Sequence, residues 1–412
     1  MASGRTIDVE ALRADTPGCA NVTHLNNAGS ALQPAIVTDT VVAHLRREEE
    51  VGGYEAHAEA RDRVAGVYAS VGALINAPIE RVALVESATV AWDRGLQAIA
   101  FSDPLEPGDR MLVSGSEYAS NVLPLLQLAR RTGATVEVIP DGEDGAVDVE
   151  ALGDMLDERV RIVSVNHAPS QNGLVNDVVA IGDMLRMHGS PAWYLVDACQ
   201  SVGQMPVDMG RIGCDVLSAT GRKFLRGPRA TGFLVVSQRM LDDLEPFPLD
   251  LHAAEWTTLD GFELADGAAR FESWEKAYAA LLGMGAAIDY ALACGIDAIA
   301  DRIGSLASRL RNGLADVPGV IVRDRGRVQS GIVTIRVDDA AGVVAGLRAR
   351  GINTSLSTPD YSRIDFGRDQ ATDGARRDGE AVPVGLVRIS PHAYNTEDEV
   401  DRAIATVTEL VR

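Results

Sequence analysis

Asp197 and Lys223 are the residues whose type and placement point most directly to chemistry. Asp197 closes the apolar run Tyr194-Leu195-Val196, where a carboxylate is tolerated only when it is paired or solvated. Lys223 follows the small, flexible run Ser218-Ala219-Thr220-Gly221, directly after another apolar segment. A lysine held in dry surroundings beside other cations is suited to forming a Schiff base. An Asp against a pyridinium nitrogen and a Lys on an aldehyde carbon are what pyridoxal phosphate (PLP) chemistry requires. The same two residues also read as a helix N-cap and a surface lysine, and spacing alone does not choose between the readings.

The elements around them do more to choose. Seven strand-like runs fall at Arg81–Glu86, Met111–Ser114, Thr135–Ile139, Arg161–Asn166, Trp193–Asp197, Val216–Ala219 and Thr231–Val236. Helical patterns such as Ala119–Arg131 and Val175–Met187 lie between them. That alternation predicts an α/β fold with a mainly parallel seven-stranded sheet covered by helices. Ligands of such sheets bind at the carboxyl ends of the strands. Polar groups stand there repeatedly: Ser87-Ala88-Thr89, Glu117 to Asn121, Asn166 to Gly173, Asp197 to Gln200, and Thr220 to Lys223.

After Gln238 the texture changes. An irregular stretch runs from Pro246 to about Ala269. Helices are predicted at Glu275–Leu292, Ile296–Leu314 and Ala341–Arg350, and strands at Gly331–Val337 and Leu386–Ser390. This predicts a smaller α+β domain over residues 266–412, a large domain over 20–265, and an N-terminal segment, 1–19, that packs with the small domain. The stretch Thr358–Ala381, rich in Asp, Arg and Gly, reads as an exposed loop.

Composition narrows the function. The 412 residues hold 38 Lys and Arg against 59 Asp and Glu, a net charge of −21. Such a chain is a poor match for nucleic acid or an anionic membrane. An apolar fraction of 46% is too high for a disordered acidic chain, and no run approaches a membrane span. Residues 1–18 carry mixed charge and no apolar core, so no secretory signal is expected. Cys19, Cys199, Cys214 and Cys294 are widely spaced and form no CxxC pair, which argues against disulfides and structural zinc and for the cytoplasm. His252 and Glu255 stand three apart with no further ligands near them, so no metal site is expected.

The chain resembles the class V aminotransferase family of PLP enzymes from about His24 to Arg412. The likeness rests on His24-Leu25-Asn26-Asn27-Ala28-Gly29, Ser87-Ala88-Thr89 and Glu117-Tyr118, and most strongly on Val196 to Gly203 and Thr220-Gly221-Arg222-Lys223-Phe224. Asp215, Gly227-Pro228, Val387-Arg388-Ile389-Ser390 and Tyr394-Asn395-Thr396-Glu397 complete it. The resemblance implies the fold-type-I PLP architecture and a homodimer. It implies that Lys223 holds PLP, that Asp197 keeps the ring nitrogen protonated and that Tyr118 stacks on the ring. Gln200 would bond the phenolic oxygen, with Ser170 nearby. Ser87, Ala88, Thr89, Thr220 and Arg222 would hold the phosphate, the first three at a helix N-terminus. Arg388 would clamp the carboxylate of an amino-acid substrate. Asn27, Ala28, Tyr54 and Gln171 would complete the substrate pocket.

The sequence departs from the family at useful places. Tyr118 and Arg222 stand where relatives often have His, and Ser273-Trp274 replaces a Gly-Thr that reaches a neighbouring subunit's phosphate in some relatives. Cysteine desulfurases take sulfur on a C-terminal cysteine, whereas this chain has none after Cys294. Cys199, between Asp197 and Gln200, reads as packing. The stretches Glu50-Val51-Gly52-Gly53-Tyr54 and Asn353-Thr354-Ser355 look similar to ergothioneine-type cysteine-conjugate sulfoxide lyases. These features favour a C–S β-lyase acting on an S-substituted cysteine and releasing thiol, pyruvate and ammonia. Transamination, epimerisation and decarboxylation-coupled deamination share the same cradle. A non-catalytic partner that kept the fold would be expected to lose Lys223, Asp197 or Arg388, and all three are present.

Overall fold

The computed structural model describes residues 6–366 and 385–412. The part of the expected loop that follows residue 366 lies outside the described residues.

Seven strands form the main sheet: β1 (Val82–Val85), β2 (Arg110–Val113), β3 (Thr135–Val138), β4 (Val160–Asn166), β5 (Trp193–Asp197), β6 (Val216–Thr220) and β7 (Gly232–Val236). Their order across the sheet is β1-β7-β6-β5-β4-β2-β3. All neighbours run parallel except β7, which is antiparallel to β1 and β6. The central strands are wholly buried, which explains their unbroken apolar sequences: both faces are covered. One face packs into a core with Leu112, Val163, Val196 and Leu217, the other into a core with Met111, Ile162, Leu195 and Val216.

Two helices position polar groups at the carboxyl edge of this sheet. α1 (Ala88–Ser102) starts right after β1, and Ser87 caps it by accepting from Val90 N at 3.2 Å. α2 (Ala119–Thr132) starts at Tyr118, just beyond β2, and ends at Gly133 in the left-handed region. Both point their N-termini to that edge, where unpaired N–H groups and the helix dipole favour an anion.

In the stretch expected to be irregular, the structure has an antiparallel hairpin, β8 (Ala254–Thr258) and β9 (Gly261–Leu264). Most of its residues are exposed, so neither face leaves the apolar–polar alternation that marks a half-buried strand. The helix α3 (Tyr278–Cys294) comes next and sends Leu281, Met284 and Ile288 into the core of the main sheet. The long helix α4 (Ile296–Ala315) covers a second sheet. That sheet has β10 (Ile321–Val322), β11 (Val333–Arg336), β12 (Ser355–Ser357) and β13 (Leu386–Ile389), in the order β10-β11-β13-β12.

Thr23–His24 pairs in parallel with Ile352–Asn353. Leu12 packs with Phe224, Ile299, Ile332 and Tyr394. Among the described residues no single helix is long and apolar enough to cross a membrane.

Candidate active site

At the carboxyl edge of the main sheet a cavity holds about 610 Å³ of empty space, partly open to solvent. Its walls are Ser87, Ala88, Thr89, Tyr118, Ser120, Asn121, Asn166, Ser170, Asp197, Cys199, Gln200, Thr220, Arg222 and Lys223. Ten of these are the cofactor residues expected from the sequence, and the structure brings all ten to one place.

The sheet register explains the convergence. Asn166, Asp197 and Ser218 stand side by side on β4, β5 and β6. Lys223 then follows β6 by three residues. Gly221 is required there because an added Cβ would collide with the Thr231 hydroxyl. Gly221 N and Thr220 Oγ1 both donate to Thr231 O, at 2.9 and 3.1 Å, and so tie the turn before Lys223 to the start of β7.

Asp197 is 6% exposed and carries two donors: Cys199 N reaches Oδ1 at 2.8 Å, and Asn121 Nδ2 reaches Oδ2 at 3.0 Å. Both of its oxygens are thus held in the cavity wall. Tyr118 presents its ring to the cavity and lies parallel to Tyr361, with centroids 6.3 Å apart and planes 8° apart. Burial, more than its neighbours, pushes the Tyr118 phenol above its usual value, so it holds its proton at neutral pH. The Cys199 thiol is likewise pushed up, by burial against the opposing pull of Lys223. A thiol kept protonated is a poor nucleophile.

The donor set suits PLP. Gln200 donates from Nε2 to Ala28 O at 3.1 Å and retains a second N–H, while its buried Oε1 has no partner. Asn166 Oδ1 is also buried without a partner. Such orphans cost about 1–3 kcal/mol each unless something fills the space. The capped start of α1, with the Thr89 hydroxyl, faces the same space as Arg222, while the Thr220 hydroxyl in the same wall donates to Thr231 O. That is an anion seat at one end, with Lys223 and Asp197 available for an aldehyde and a ring nitrogen.

Five expected substrate residues fall elsewhere than in these walls. Arg388 lies beside them, donating to Ser170 O at 3.1 Å, with Nη2 3.5 Å from Asn26 Oδ1. Its Nε has no partner, and among the described residues no carboxylate pairs with it. Burial pulls its pKa down to about 10. A desolvated guanidinium with an open donor is a site for a ligand carboxylate. Asn27 spends its amide on Ser390 O, His24 O and the Tyr394 hydroxyl, and Ala28 offers its backbone to Ser390 and Gln200. Both anchor the loop that covers Gln200. Gln171 is satisfied by Ser170 and Asp365. Tyr54 is 80% exposed on a short helix and does not reach the cavity of its own chain.

Sequence reading gives no role to Asn121, Asn166 or Glu117. Asn121 and Glu117 share one turn of chain, but nothing in the sequence links them to Asp197, 76 residues beyond Asn121.

A model described as Aminotransferase class-V matches residues 23–403. A probable cysteine desulfurase of Methanothermobacter thermautotrophicus is 29% identical, over 98% of this chain and 98% of that one. The cysteine desulfurase of Salmonella agona is 27% identical over 99% of each. Among solved structures, the apo cysteine desulfurase from Thermococcus onnurineus NA1 covers 100% of this chain and 99% of its own, with a TM-score of 0.87 at 24% identity. The cystine C–S lyase C-DES, in complex with cysteine persulfide, gives 0.82 at 21% identity, covering 96% of this chain and 100% of its own. These structures share the fold of this chain.

Proposed function

We propose that the chain cleaves the Cβ–S bond of an S-substituted cysteine, from the premise that it belongs to the class-V aminotransferase family, whose enzymes work with PLP. The observation that carries the reading is the state of the thiols. The curated relatives are cysteine desulfurases, yet no cysteine follows Cys294 in this chain. The one thiol in the cavity wall, Cys199, is held protonated by burial. Without a sulfur acceptor, elimination is the simplest route open to a desulfurase-like site.

PLP, when bound, supplies an electron sink for the pair left at Cα when its proton is removed. The chain's own residues do the rest. Arg388 takes the substrate carboxylate in a bidentate fork and fixes which bond at Cα faces Lys223. Lys223 Nζ serves as the base that holds the Cα proton. Asp197, fixed by Asn121 and Cys199 N, holds the proton on the ring nitrogen. Tyr118, whose ring lines the cavity and whose phenol is kept protonated by burial, would stack on the cofactor ring and is a poor proton shuttle near neutral pH. With one water the balance closes: the S-substituted cysteine gives a thiol, pyruvate and ammonia.

The reading extends to the assembly. Leu251, Trp256, Leu259, Phe262 and Trp274 are exposed on and around the β8–β9 hairpin, and Trp256 and Phe262 are cross-strand partners. An apolar surface of this kind suits a second copy of the chain, and a partner's cavity would give the exposed Tyr54 the pocket role expected of it. Cysteines that form no disulfide among the described residues fit a reducing cytoplasm.

The test is incubation of the PLP-loaded protein with S-alkyl cysteines and their sulfoxides. Thiol or sulfenate plus pyruvate is expected, and Lys223→Ala should lose both turnover and the visible band of bound PLP. Keto acid with pyridoxamine phosphate would point to transfer instead. Deuterium at Cα of recovered substrate would point to epimerisation. Absence of thiol release across a broad conjugate panel would sink the lyase reading.

A further inference from the structure

Glu117 is a buried carboxyl that the proposed reaction does not use. It is 1% exposed and lies in the turn between β2 and α2. Oε1 accepts from Tyr118 N at 3.1 Å and Asn121 Nδ2 at 2.8 Å. Oε2 accepts from Ser114 Oγ at 3.3 Å and Ser164 Oγ at 3.4 Å. The same Asn121 nitrogen reaches Asp197 Oδ2 at 3.0 Å. One amide nitrogen therefore joins two carboxyls, each taking one of its hydrogens. Turning the amide over would set its oxygen against both, so its orientation is fixed.

We propose that Glu117 is the positioning residue for Asp197: through Asn121 it fixes the carboxylate that serves the cofactor's ring nitrogen, and its own proton sets how much negative charge stands behind that carboxylate. Removing Glu117 would free the Asn121 rotamer and leave Asp197 with Cys199 N as its remaining bound donor. Ionising Glu117 would add a second negative charge one amide away, which favours a protonated ring nitrogen.

The surroundings support both halves. Burial first, and the charge of Asp197 second, push the Glu117 carboxyl up to about 7, against the pull of its hydrogen bonds to Asn121, Tyr118 N and Ser114. Asp197, from the end of β5, is the charged group whose field bears on it; α2, β2 and β4 face it with Asn121, Ser114 and Ser164. Ser362 donates to the Glu117 carbonyl at 2.9 Å. The proton on Glu117 can therefore change hands near neutral pH, with the Asn121 amide as the bridge between it and Asp197.

The inference rests on PLP occupying the cavity, but not on which bond is cleaved. The experiment compares wild type, Glu117→Gln, Glu117→Ala and Asn121→Ala for PLP affinity and for the pH titration of the visible band of bound PLP. A hydrogen bond to a charged group is worth enough that Asn121→Ala and Glu117→Ala should bind PLP roughly tenfold or more weakly. Glu117→Gln keeps the shape and, with its oxygen in the Oε1 position, the bonds from Tyr118 N and Asn121; its NH2 turns the Ser114 and Ser164 hydroxyls from donors into acceptors, and the ionisation is removed. It should restore affinity yet shift or remove the spectral change near neutral pH. Should Glu117→Ala not fold, Glu117→Gln decides alone. A Glu117→Gln titration that superimposes on wild type overturns the proposal and leaves the cofactor assignment standing. Wild-type protein that takes up no PLP overturns both.

Discussion

Gly232 lies against Ser87 with no room for a side chain between them. An added Cβ would stand 2.7 Å from the Ser87 carbonyl carbon, 2.9 Å from its Cα and 2.7 Å from Ala219 O. β7 thus approaches the N-cap of α1 on one side and β6 on the other. The antiparallel strand that interrupts the parallel sheet sets where the capped start of α1 meets the cavity.

Gly232→Ala should therefore act on both stability and ligand. A methyl group must push β7 away from backbone atoms that cannot rotate aside, which costs about 1–3 kcal/mol. The displacement falls on Ser87 and the first turn of α1, so PLP affinity should fall along with the unfolding midpoint. A variant that is destabilised but binds PLP as wild type does would separate β7 from the placement of the anion seat.

Arg388 predicts a split between KM and kcat. It has an open Nε donor, no carboxylate partner among the described residues, and a pKa drawn down to about 10 by burial. Arg388→Lys keeps the charge and loses the fork. Losing one charge-assisted hydrogen bond should raise KM for the amino acid roughly ten- to a hundredfold, with PLP affinity little changed. Steady-state kinetics together with a PLP titration check this. Weakened PLP binding with KM intact would move Arg388 from the substrate to the cofactor.

Much of this architecture is legible in the sequence. Buried strands of a parallel sheet must be apolar on both faces, so β4, β5, β6 and β7 announce themselves, and their polar carboxyl ends mark the site. The β8–β9 hairpin is not legible because exposure of most of its residues erases the alternation that identifies a strand. The cofactor residues can be read as a group because each sits next to a strand end. The substrate residues are less legible. Whether Asn27 and Gln171 point inward or spend their amides on neighbours depends on Ser390, Tyr394 and Asp365, which lie far off in sequence. The bridge from Glu117 to Asp197 has the same character: it crosses between strands and leaves no spacing to find.

Acid should destabilise the fold through His392. Its Nδ1 accepts from Ala393 N at 2.8 Å, so the ring proton sits on Nε2, which donates to Phe224 O at 2.9 Å. Burial first, then the nearby Arg226, lowers its pKa to about 3, well below the ~6.5 of an unfolded histidine. Between these values the unfolded chain binds the proton and the folded one does not. The contribution is therefore whole above about pH 6.5 and is lost as pH falls toward 3. His167, lowered by burial to about 4, adds with the same sign. Glu117, raised to about 7, works in the opposite sense between its unfolded value and neutrality. Urea unfolding at pH 7 and pH 5 should show a clear loss for wild type. His392→Gln should start lower and lose less between the two. Equal losses in both proteins would remove His392 as a cause.

The thiols supply the sharpest test of elimination against sulfur transfer. Cys199 touches Asp197 through its backbone N–H, which any residue but proline provides. Its side chain lines the cavity but is kept protonated by burial, despite the neighbouring Lys223. Cys214 is buried and its thiol is likewise pushed up by burial. Cys19 lies with Arg13 and Glu399, and Cys294 beside Tyr290 and Ile299, away from the cavity walls. If sulfur leaves as a free thiol, Cys199→Ser should keep turnover of S-alkyl cysteines within about threefold, since a serine hydroxyl is close in size and can keep the hydrogen bond the thiol makes with Lys223. Protein incubated with cysteine should carry no persulfide on any of the four positions, as read by mass spectrometry under non-reducing conditions. Loss of turnover in Cys199→Ser with the PLP band intact, or a persulfide mapped to Cys199, would replace elimination with transfer onto that thiol.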